Sequence, residues 1–374
     1  MILYTVRRGD SLPGLARRFS FSAGALARLN GLDDRSRLAP GLALAIPGGA
    51  QGAERGSAVS AAICPACGEA ELAGLADGFS LLCPCLCRVS AEGGLIAPDE
   101  APRRRAAGPA AVLPCLSNLS ERGGFSAGIA HALLCDSRRQ DALLSRLLRL
   151  LDEGAYQGLC LYFQYLFPFD REAYGAFVRR AAETLHASGR LLMTVLAAQD
   201  GELSPGPLCA AQDHALHGEA ADWVLLCCEK ADRFGAPGPI APLSLQRAAL
   251  AFAAERIPPR KLLLGLNDYA LSWSLPRSPG SEAQRLSPAA AQNLAVAVGA
   301  EIRWDAGAGE AFFSCTDAAG RERALWFEDL RSLLARLELV REYGLGGFCF
   351  SAAEALHPAL LLAAEERFDT LWLL

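Results

Sequence analysis

The sequence lacks the features typical of membrane proteins, nucleic-acid-binding proteins and metalloenzymes. Its longest uncharged apolar stretch, around residues 343–353, is shorter than the about 20 residues that a membrane-spanning helix needs. Lysine and arginine number 36 against 41 aspartate and glutamate residues, so no basic surface for nucleic acid is expected. The five histidines show no H-E-x-x-H spacing. We therefore expect no membrane span, no nucleic-acid partner, no cofactor and no metal.

The amino terminus also lacks the pattern of a secretory signal. Met1 to Tyr4 lead directly into Arg7, Arg8 and Asp10. A basic segment followed by a long apolar core and a cleavage site is not visible there. The sequence therefore predicts synthesis in a cytoplasm without a signal peptide.

Cysteine, by contrast, is abundant, with 13 in a chain of 374 residues. A chain of this length buries a core large enough to fold without disulfides, and an odd cysteine count favours free thiols in a reducing compartment. One spacing leaves structural zinc open as an alternative: Cys64 and Cys67, then Cys83, Cys85 and Cys87. A zinc ribbon has two C-x2-C knuckles, whereas an extended C-x-C-x-C segment points its three sulfurs in one direction. We therefore predict buried thiols.

Residues 3–47 have the pattern of a small βααβ unit. A short strand precedes a first helix, for which Asp10 is the predicted N-cap. Ser22 is predicted to cap a second helix, which ends at Asn30. A last strand is predicted over 42–46.

The same stretch resembles a LysM module almost end to end, in YTVRRGDSLPGLARRFSFSAGALARLNGL and LAPGLALAIPGG. The resemblance implies a LysM glycan-binding domain over residues 1–48. It also implies a groove for N-acetylglucosamine-containing glycan, such as peptidoglycan or chitin, between the loops that precede the first helix and follow the second. The implied binding residues are Gly9, Asp10, Ser11, Leu12, Asn30, Gly31 and Leu32. The alternative is that these residues serve only as caps and turns.

After a polar, glycine-rich stretch over 49–57, which predicts a flexible linker, short apolar runs alternate with helical patterns. This alternation predicts an α/β fold, a (β/α)8 TIM barrel over 58–374. The predicted strands are 58–64, 81–89, 111–116, 159–165, 191–197, 223–228, 261–266 and 346–350. Amphipathic helices are predicted at 139–152, 172–186 and 326–343. Pro84 predicts a bulge in the second strand, because proline removes a ladder donor.

The fourth predicted strand carries the most functional information. It lies in AYQGLCLYFQYLFPFD, residues 155–170. Because side chains alternate along a strand, three residues with polar groups share one face: Cys160, Tyr162 and Gln164. The intervening aliphatic and aromatic residues would pack against the helices of a barrel, so we expect the other three to point toward its axis.

GLCLYFQY resembles the fourth strand of glycoside hydrolase family 18, with its motif G-x-(D/N)-x-D-x-E, in the branch of spore-cortex N-acetylglucosaminidases that carry LysM modules. The resemblance places Tyr162 at the supporting aspartate and Gln164 at the catalytic acid. Glutamine has no ionisable proton to give a glycosidic oxygen. Tyrosine cannot supply the carboxylate that orients the N-acetyl group of the substrate in a substrate-assisted mechanism.

Two further positions depart from the family pattern. The resemblance places Cys228 where a tyrosine steadies the N-acetyl group, and Ser351 where a tryptophan forms the floor of the sugar subsite. Glu229 matches the family at the end of strand six. The segment 300–350 resembles the family's insertion, which implies a small α+β lobe, and its final helix and strand.

These observations predict a glycan-binding protein, associated with the spore or cell wall, whose barrel does not hydrolyse its ligand. One alternative is an active glycosidase that uses relocated carboxylates, Glu229 or Asp268, because both follow predicted strands at the end where barrel enzymes hold their chemistry. Another is a structural spore-layer protein cross-linked through its cysteines. Cys227 and Cys228 are also considered as nucleophiles, but strand cysteines without a positioned histidine are usually inert.

Overall fold

The computed structural model describes residues 1–33, 37–48, 55–65, 68–75, 77–98, 108–199, 209–229, 234–267, 269–278, 280–317, 319–351 and 358–373. Across these ranges, no helix combines the length and the apolar character needed to cross a membrane. Most of the predicted linker, residues 49–54, lies outside the described ranges.

The first 48 residues form the predicted βααβ unit. Its elements are β1 (Ile2–Thr5), α1 (Leu12–Arg18), α2 (Ala23–Leu29) and β2 (Ala43–Ile46), with β1 and β2 antiparallel. The prediction of Asp10 as N-cap of α1 is wrong. Ser11 caps this helix, because its hydroxyl accepts a hydrogen bond from the Gly14 N–H. The Asp10 carboxylate instead accepts from the Tyr4 hydroxyl and the Arg7 N–H, both at 2.8 Å.

The barrel is a ring of parallel strands at the predicted positions. Within the described residues its strands are β3 (Gly56–Cys64), β4 (Leu81–Pro84) continued by β5 (Cys87–Val89), β7 (Ala111–Val112) continued by β8 (Cys115–Ser117), β9 (Gly158–Tyr162), β10 (Leu191–Ala197), β11 (Trp223–Cys227), β12 (Leu262–Leu266) and β18 (Gly347–Phe350). The ring closes where β18 pairs with β3. Two short strands extend it: β6 (Leu95–Ile96) pairs antiparallel with β5, and β19 (Phe368–Thr370) pairs with β3.

Pro84 interrupts the second strand, as its missing N–H predicts. The Leu86 N–H donates to the Pro84 carbonyl at 2.9 Å, so the chain turns before β5 begins. This break corrects the expectation that Cys83, Cys85 and Cys87 point in one direction. Cys83 and Cys85 belong to the cluster on the barrel axis, whereas Cys87 belongs to the cluster under the outer helices.

Helices cover the outside of the ring. They are α3 (Glu69–Leu75), α4 (Ala127–Leu134), α5 (Ser137–Glu153), α6 (Arg171–His186), α7 (His214–Ala220), α8 (Leu243–Ala254), α10 (Leu330–Glu342) and α11 (Pro358–Glu365). In α5, Asp136 caps the first turn, and Leu143, Leu147 and Leu151 recur every four residues on the buried face.

Between β12 and α10 the chain forms the predicted α+β lobe. It comprises β13 (Ala270–Leu275), β14 (Gln284–Leu286), α9 (Pro288–Val298), β15 (Arg303–Asp305), β16 (Glu310–Thr316) and β17 (Glu322–Phe327). Trp326 lies in β17 and stacks on Phe312, with ring centroids 4.7 Å apart. The helix predicted from residue 326 therefore begins later, at Leu330.

The βααβ unit packs directly against this lobe. Leu12, Leu26 and Leu44 share one buried cluster with Ile302 and Phe313. Polar contacts run along the same boundary, since Asn293 donates to the Gly31 carbonyl at 3.1 Å and accepts from the Asp33 N–H at 3.0 Å.

Gly41 marks the closest approach of the two parts. It has φ +83°, and a Cβ there would lie 1.8 Å from the Ile302 carbonyl oxygen. Only glycine tolerates this combination of conformation and contact. The sequence predicted a module on a flexible linker, and the structure adds a common core between the domain and the lobe.

Candidate functional site

Tyr162 is the last residue of β9 and faces the barrel axis, as predicted. Cys160 and Tyr162 belong to the axial cluster, whereas Leu159, Leu161 and Phe163 pack under the helices. The Tyr162 ring lies 5.1 Å from the Phe125 ring. Burial raises the pKa of Tyr162 well above its ordinary value, and nearby Cys227 and Glu229 raise it further. The phenol therefore stays protonated at neutral pH and supplies no negative charge.

Gln164 lies just beyond the strand, which ends three residues earlier than predicted. It is buried, and its main chain is fixed by Asn118. The Gln164 N–H donates to the Asn118 Oδ1 at 3.0 Å, while the Asn118 Nδ2 donates to the Gln164 carbonyl at 2.8 Å. The next residue, Tyr165, has φ +54°. This turn ends the alternation on which the predicted orientation of Gln164 was based.

The two cysteines at the end of β11 face opposite sides. Cys227 packs with the axial cluster, and Cys228 belongs to the cluster under the helices. Burial raises the pKa of Cys228 to about 12 and that of Cys227 well above its ordinary value. Neither thiol has the lowered pKa that a cysteine nucleophile needs. It is thus Cys227, and not Cys228, that contributes to the axial face beside Tyr162.

A buried ionic network lies behind Cys228. Arg336 is fully buried and contacts Glu310 at 3.3 Å and Glu328 at 2.9 Å. Glu310 also accepts hydrogen bonds from the main chain at Ile240 and Ala241. The network joins the lobe to α10 and to the segment after β11, and both carboxylates are engaged in it.

The remaining predicted positions lie at neighbouring strand ends. Glu229 follows β11, is exposed, and is hydrogen-bonded to the side chain of Tyr269. Ser351 follows β18, and its N–H donates to the Leu266 carbonyl at 3.1 Å. Asp268 lies outside the described residues. The structure therefore brings Glu229 close to Tyr162 and does not test the second relocated carboxylate.

The predicted glycan-binding residues occupy the loop that leads into α1 and the loop that follows α2. Gly9 has φ +90° and open space around it. Ser11 caps α1, and Leu12 is buried in the shared core. These roles hold the first loop in shape around Gly9 and Asp10.

In the second loop, Asn30 is buried and bonds to the main chain of Leu26 and Ala45. Gly31 has φ +63°, and Leu32 belongs to the shared core. The same residues that the motif implies for glycan binding thus maintain the loop conformations.

All twelve cysteines in the described ranges are free thiols. Cys67 lies outside those ranges. Among the described cysteines Cys135 is exposed, while the others are buried or partly buried. A cross-linked layer needs several exposed sulfurs per chain, so one exposed cysteine among the described residues does not favour the structural-layer alternative.

One polar cluster was missed by the sequence analysis. His131 and Cys135, four residues apart at the end of α4, meet Asp170 at the start of α6. The spacing of His131 and Cys135 on one helical face was visible in the sequence. Asp170 could not be added to it without the fold, because it follows the next barrel strand.

Comparisons with known proteins agree with this architecture. Residues 4–47 match the family described as LysM domain, and residues 118–354 match Glycosyl hydrolases family 18. The cortical fragment-lytic enzyme of Bacillus subtilis (strain 168) is 31% identical over 260 residues, 69% of this chain and 60% of the relative. That of Bacillus cereus is 30% identical over 62% of this chain and 54% of the relative. The aligned region therefore spans less than two thirds of these curated relatives.

Solved structures extend the similarity to the whole chain. The spore cortex-lytic enzyme SleL of Bacillus megaterium QM B1551 has a TM-score of 0.80 at 27% identity, covering 100% of this chain and 87% of that one. A chitinase from Chromobacterium violaceum ATCC 12472 has a TM-score of 0.75 at 25% identity, covering 83% of this chain and 98% of that one.

Proposed function

The chain belongs to glycosyl hydrolase family 18, and from this membership we propose that it is a glycan-binding protein whose barrel has lost hydrolysis of N-acetylglucosaminyl bonds. The proposed ligand is peptidoglycan or a chitin-type glycan. The relatives named as cortex-lytic enzymes support association with the spore cortex or cell wall.

The single observation that carries this proposal is the end of β9. Substrate-assisted hydrolysis needs a proton donor at the glycosidic oxygen and a carboxylate beside the N-acetyl group. The positions that the family motif assigns to these groups hold Gln164 and Tyr162. The first has no ionisable proton, and the raised pKa of the second keeps it neutral.

The LysM domain supplies the binding part of the proposal. Gly9, Asp10, Ser11, Leu12, Asn30, Gly31 and Leu32 are the proposed contact residues. A preformed loop site of this kind binds with little loss of conformational freedom. Binding is tested by pelleting the full chain with insoluble peptidoglycan and with chitin, against a control without polysaccharide. Equal pelleting in all three samples would contradict it.

Hydrolysis is tested with the full chain on cortex fragments and on a chromogenic N-acetylglucosaminide. We expect no turnover above a denatured control, either for the wild type or for Gln164→Glu. The single change restores a proton donor but leaves the N-acetyl group of the substrate without a carboxylate beside it. Catalytic groups that act as a unit recover little activity when only one of them is restored. The combination Tyr162→Asp, Gln164→Glu and Ser351→Trp is the variant in which a trace of activity is expected. Cys228→Tyr, which the family motif would add, is left out because Cys228 packs under the helices and not on the barrel axis. Turnover by the wild type would overturn the proposal, and robust turnover by Gln164→Glu would show that Gln164 alone prevents hydrolysis.

The second candidate is a glycosidase with a relocated carboxylate. The observation that favours it is that Glu229 lies near enough to Tyr162 and Cys227 to raise the pKa of both side chains. Wild-type turnover that is abolished by Glu229→Gln or by Asp268→Asn would establish this function instead. The analysis of released fragments by mass spectrometry gives the bond that is cleaved.

A further inference from the structure

The cluster of His131, Cys135 and Asp170 lies beside the loop that follows β9. His131 Nδ1 is 2.8 Å and 3.1 Å from the two carboxylate oxygens of Asp170. The Cys135 sulfur is 3.4 Å from the same nitrogen. One donor atom from each residue lies within 4.8 Å of the others. We propose that these three side chains form a Zn²⁺ site.

The donor set selects the type of ion. Zinc is bound by thiolate, imidazole and carboxylate groups, whereas calcium and magnesium take oxygen ligands almost exclusively. One sulfur, one nitrogen and one oxygen donor therefore fit Zn²⁺. Three protein ligands leave a fourth tetrahedral position for water.

The position of Asp170 supports a role beyond an ordinary hydrogen bond. Asp170 precedes α6 but makes no capping bond to its main chain. Its side chain is 3% exposed, and both oxygens of its carboxylate lie against Nδ1 of His131. A buried carboxylate needs compensation for the loss of solvation. A cation shared with His131 and Cys135 would provide it.

The chain contains a natural comparison for this site. His186 Nε2 and Asp222 Oδ2 are 3.0 Å apart, so they form a similar histidine–carboxylate contact. Asp222 is 33% exposed, and this pair belongs to no three-residue group of metal-binding side chains within the described residues. The His186–Asp222 pair therefore serves as a reference for a histidine–carboxylate contact that we expect to bind no metal.

Binding of the ion would require a defined change of protonation. The Cys135 thiol would lose its proton to solvent and bind as thiolate. His131 would bind through the lone pair of Nδ1, with its proton on Nε2. Each bound zinc thus displaces the Cys135 proton, and no oxidation or reduction is involved.

The site would connect α4 to the loop after β9. Phe167 and Phe169 stack on each other at 5.0 Å and both meet the His131 ring edge-to-face. Phe169 is 72% exposed. Zinc held by His131 and Asp170 would therefore fix an exposed aromatic pair beside the barrel mouth.

The test uses the full chain, stripped with chelator and dialysed against Zn²⁺ alone. We expect about one zinc per chain by elemental analysis. Substitution with Co²⁺ should give a thiolate-to-cobalt charge-transfer band in the absorption spectrum. Neither measurement depends on glycan binding or on hydrolysis, so failure of the function proposed above leaves this test intact.

Cys135→Ser and His131→Gln are the informative variants, because both side chains are at least partly exposed and their loss should leave the fold intact. Each should lower zinc affinity by more than the about 10- to 100-fold typical of outer-shell changes. Cys135→Ser should also abolish the charge-transfer band. The matched controls His186→Gln and Cys315→Ser should bind zinc as the wild type does.

Three results would overturn the proposal. They are a wild type with far less than one zinc per chain, a cobalt complex without the thiolate band, and a Cys135→Ser variant that retains wild-type affinity. The last result would place the metal on other thiols, such as those of the barrel axis.

Discussion

In the LysM loops the residues shared with the family motif are built into the fold of the domain, whereas at the end of β9 the positions that the motif assigns to the reaction hold Tyr162 and Gln164, neither of which carries a carboxylate. Asn30 joins α2 to β2 through buried hydrogen bonds, and Ser11 caps α1. Tyr162 packs on Phe125, and Gln164 is held through its main chain.

The difference matters for experiments on either region. We expect substitution of a LysM loop residue to change stability together with the proposed glycan binding, because the same atoms maintain the loop. The side chains of Tyr162 and Gln164 can be exchanged with less effect on the backbone around them.

The largest expected effect is a loss of stability of the barrel at acid pH. All five histidines lie beyond residue 130, so the LysM domain has none. Burial lowers the pKa of His214 to about 4 and that of His217 to about 3. Below about pH 6.5 these histidines bind protons in the unfolded chain but stay neutral in the folded chain. The free energy of unfolding therefore falls as the pH drops from about 6.5 toward 4. The expected loss is about 1.4 kcal/mol per pH unit for each histidine.

Urea denaturation at several pH values between 7 and 5 measures this slope. His217→Leu removes one titrating group, and neither ring nitrogen of His217 has a hydrogen-bond partner that would be left behind. The variant should therefore show a shallower loss of unfolding free energy with falling pH than the wild type. Parallel slopes for the two proteins would show that His217 is not the source.

Asn30→Ala should have the next largest effect. The Asn30 amide donates to the Leu26 and Ala45 carbonyls, both at 2.9 Å, and accepts from the Ala45 N–H at 2.7 Å. Its removal leaves buried main-chain groups without partners, which should lower the free energy of unfolding by about 2–4 kcal/mol. Thermal and urea denaturation of the full chain give the value. A loss of glycan pelleting without any loss of stability would show that Asn30 serves binding alone.

Ser11→Ala should have the smallest effect of the three, about 1 kcal/mol, because it removes one N-cap. Ser22→Ala is the matched control, since Ser22 caps α2 through the same contact with the main chain three residues later. Similar losses for both variants, with glycan pelleting reduced only by Ser11→Ala, would separate the binding loop from ordinary capping. Equal pelleting by both would remove Ser11 from the proposed site.

The strands and the small domain could be predicted because their signals are local. The alternation of apolar side chains predicted that Cys160 and Tyr162 face the barrel axis, and the turn residues predicted where α2 begins and ends. The sequence could not show that Ser11, and not Asp10, caps α1, because both residue types are good N-caps. In the fold, the Asp10 carboxylate is engaged by the Tyr4 hydroxyl instead. The direction in which the Cys87 side chain points depends on how the chain turns at Pro84, and the strand propensity of the residues does not specify this turn.

The candidate sites were predictable to a smaller extent. Motif positions located Tyr162 and Gln164, since both lie within one continuous segment. The orientation of Cys228 depends on where β11 ends, and strand ends are set by tertiary packing. The meeting of His131 with Asp170 depends on the placement of consecutive loops around the ring. Such long-range proximity leaves no periodic trace in the sequence.

The close fit at Gly41 and Ile302 gives the LysM domain a fixed orientation relative to the barrel. A binding module on a flexible tether searches a volume set by tether length, and its effective concentration at a second site falls as the tether lengthens. A module locked by a common core performs no such search. A glycan chain bound in the LysM loops would leave them in a single direction. The repeat distance of the polymer, rather than any linker, would then decide which sugar units meet the barrel.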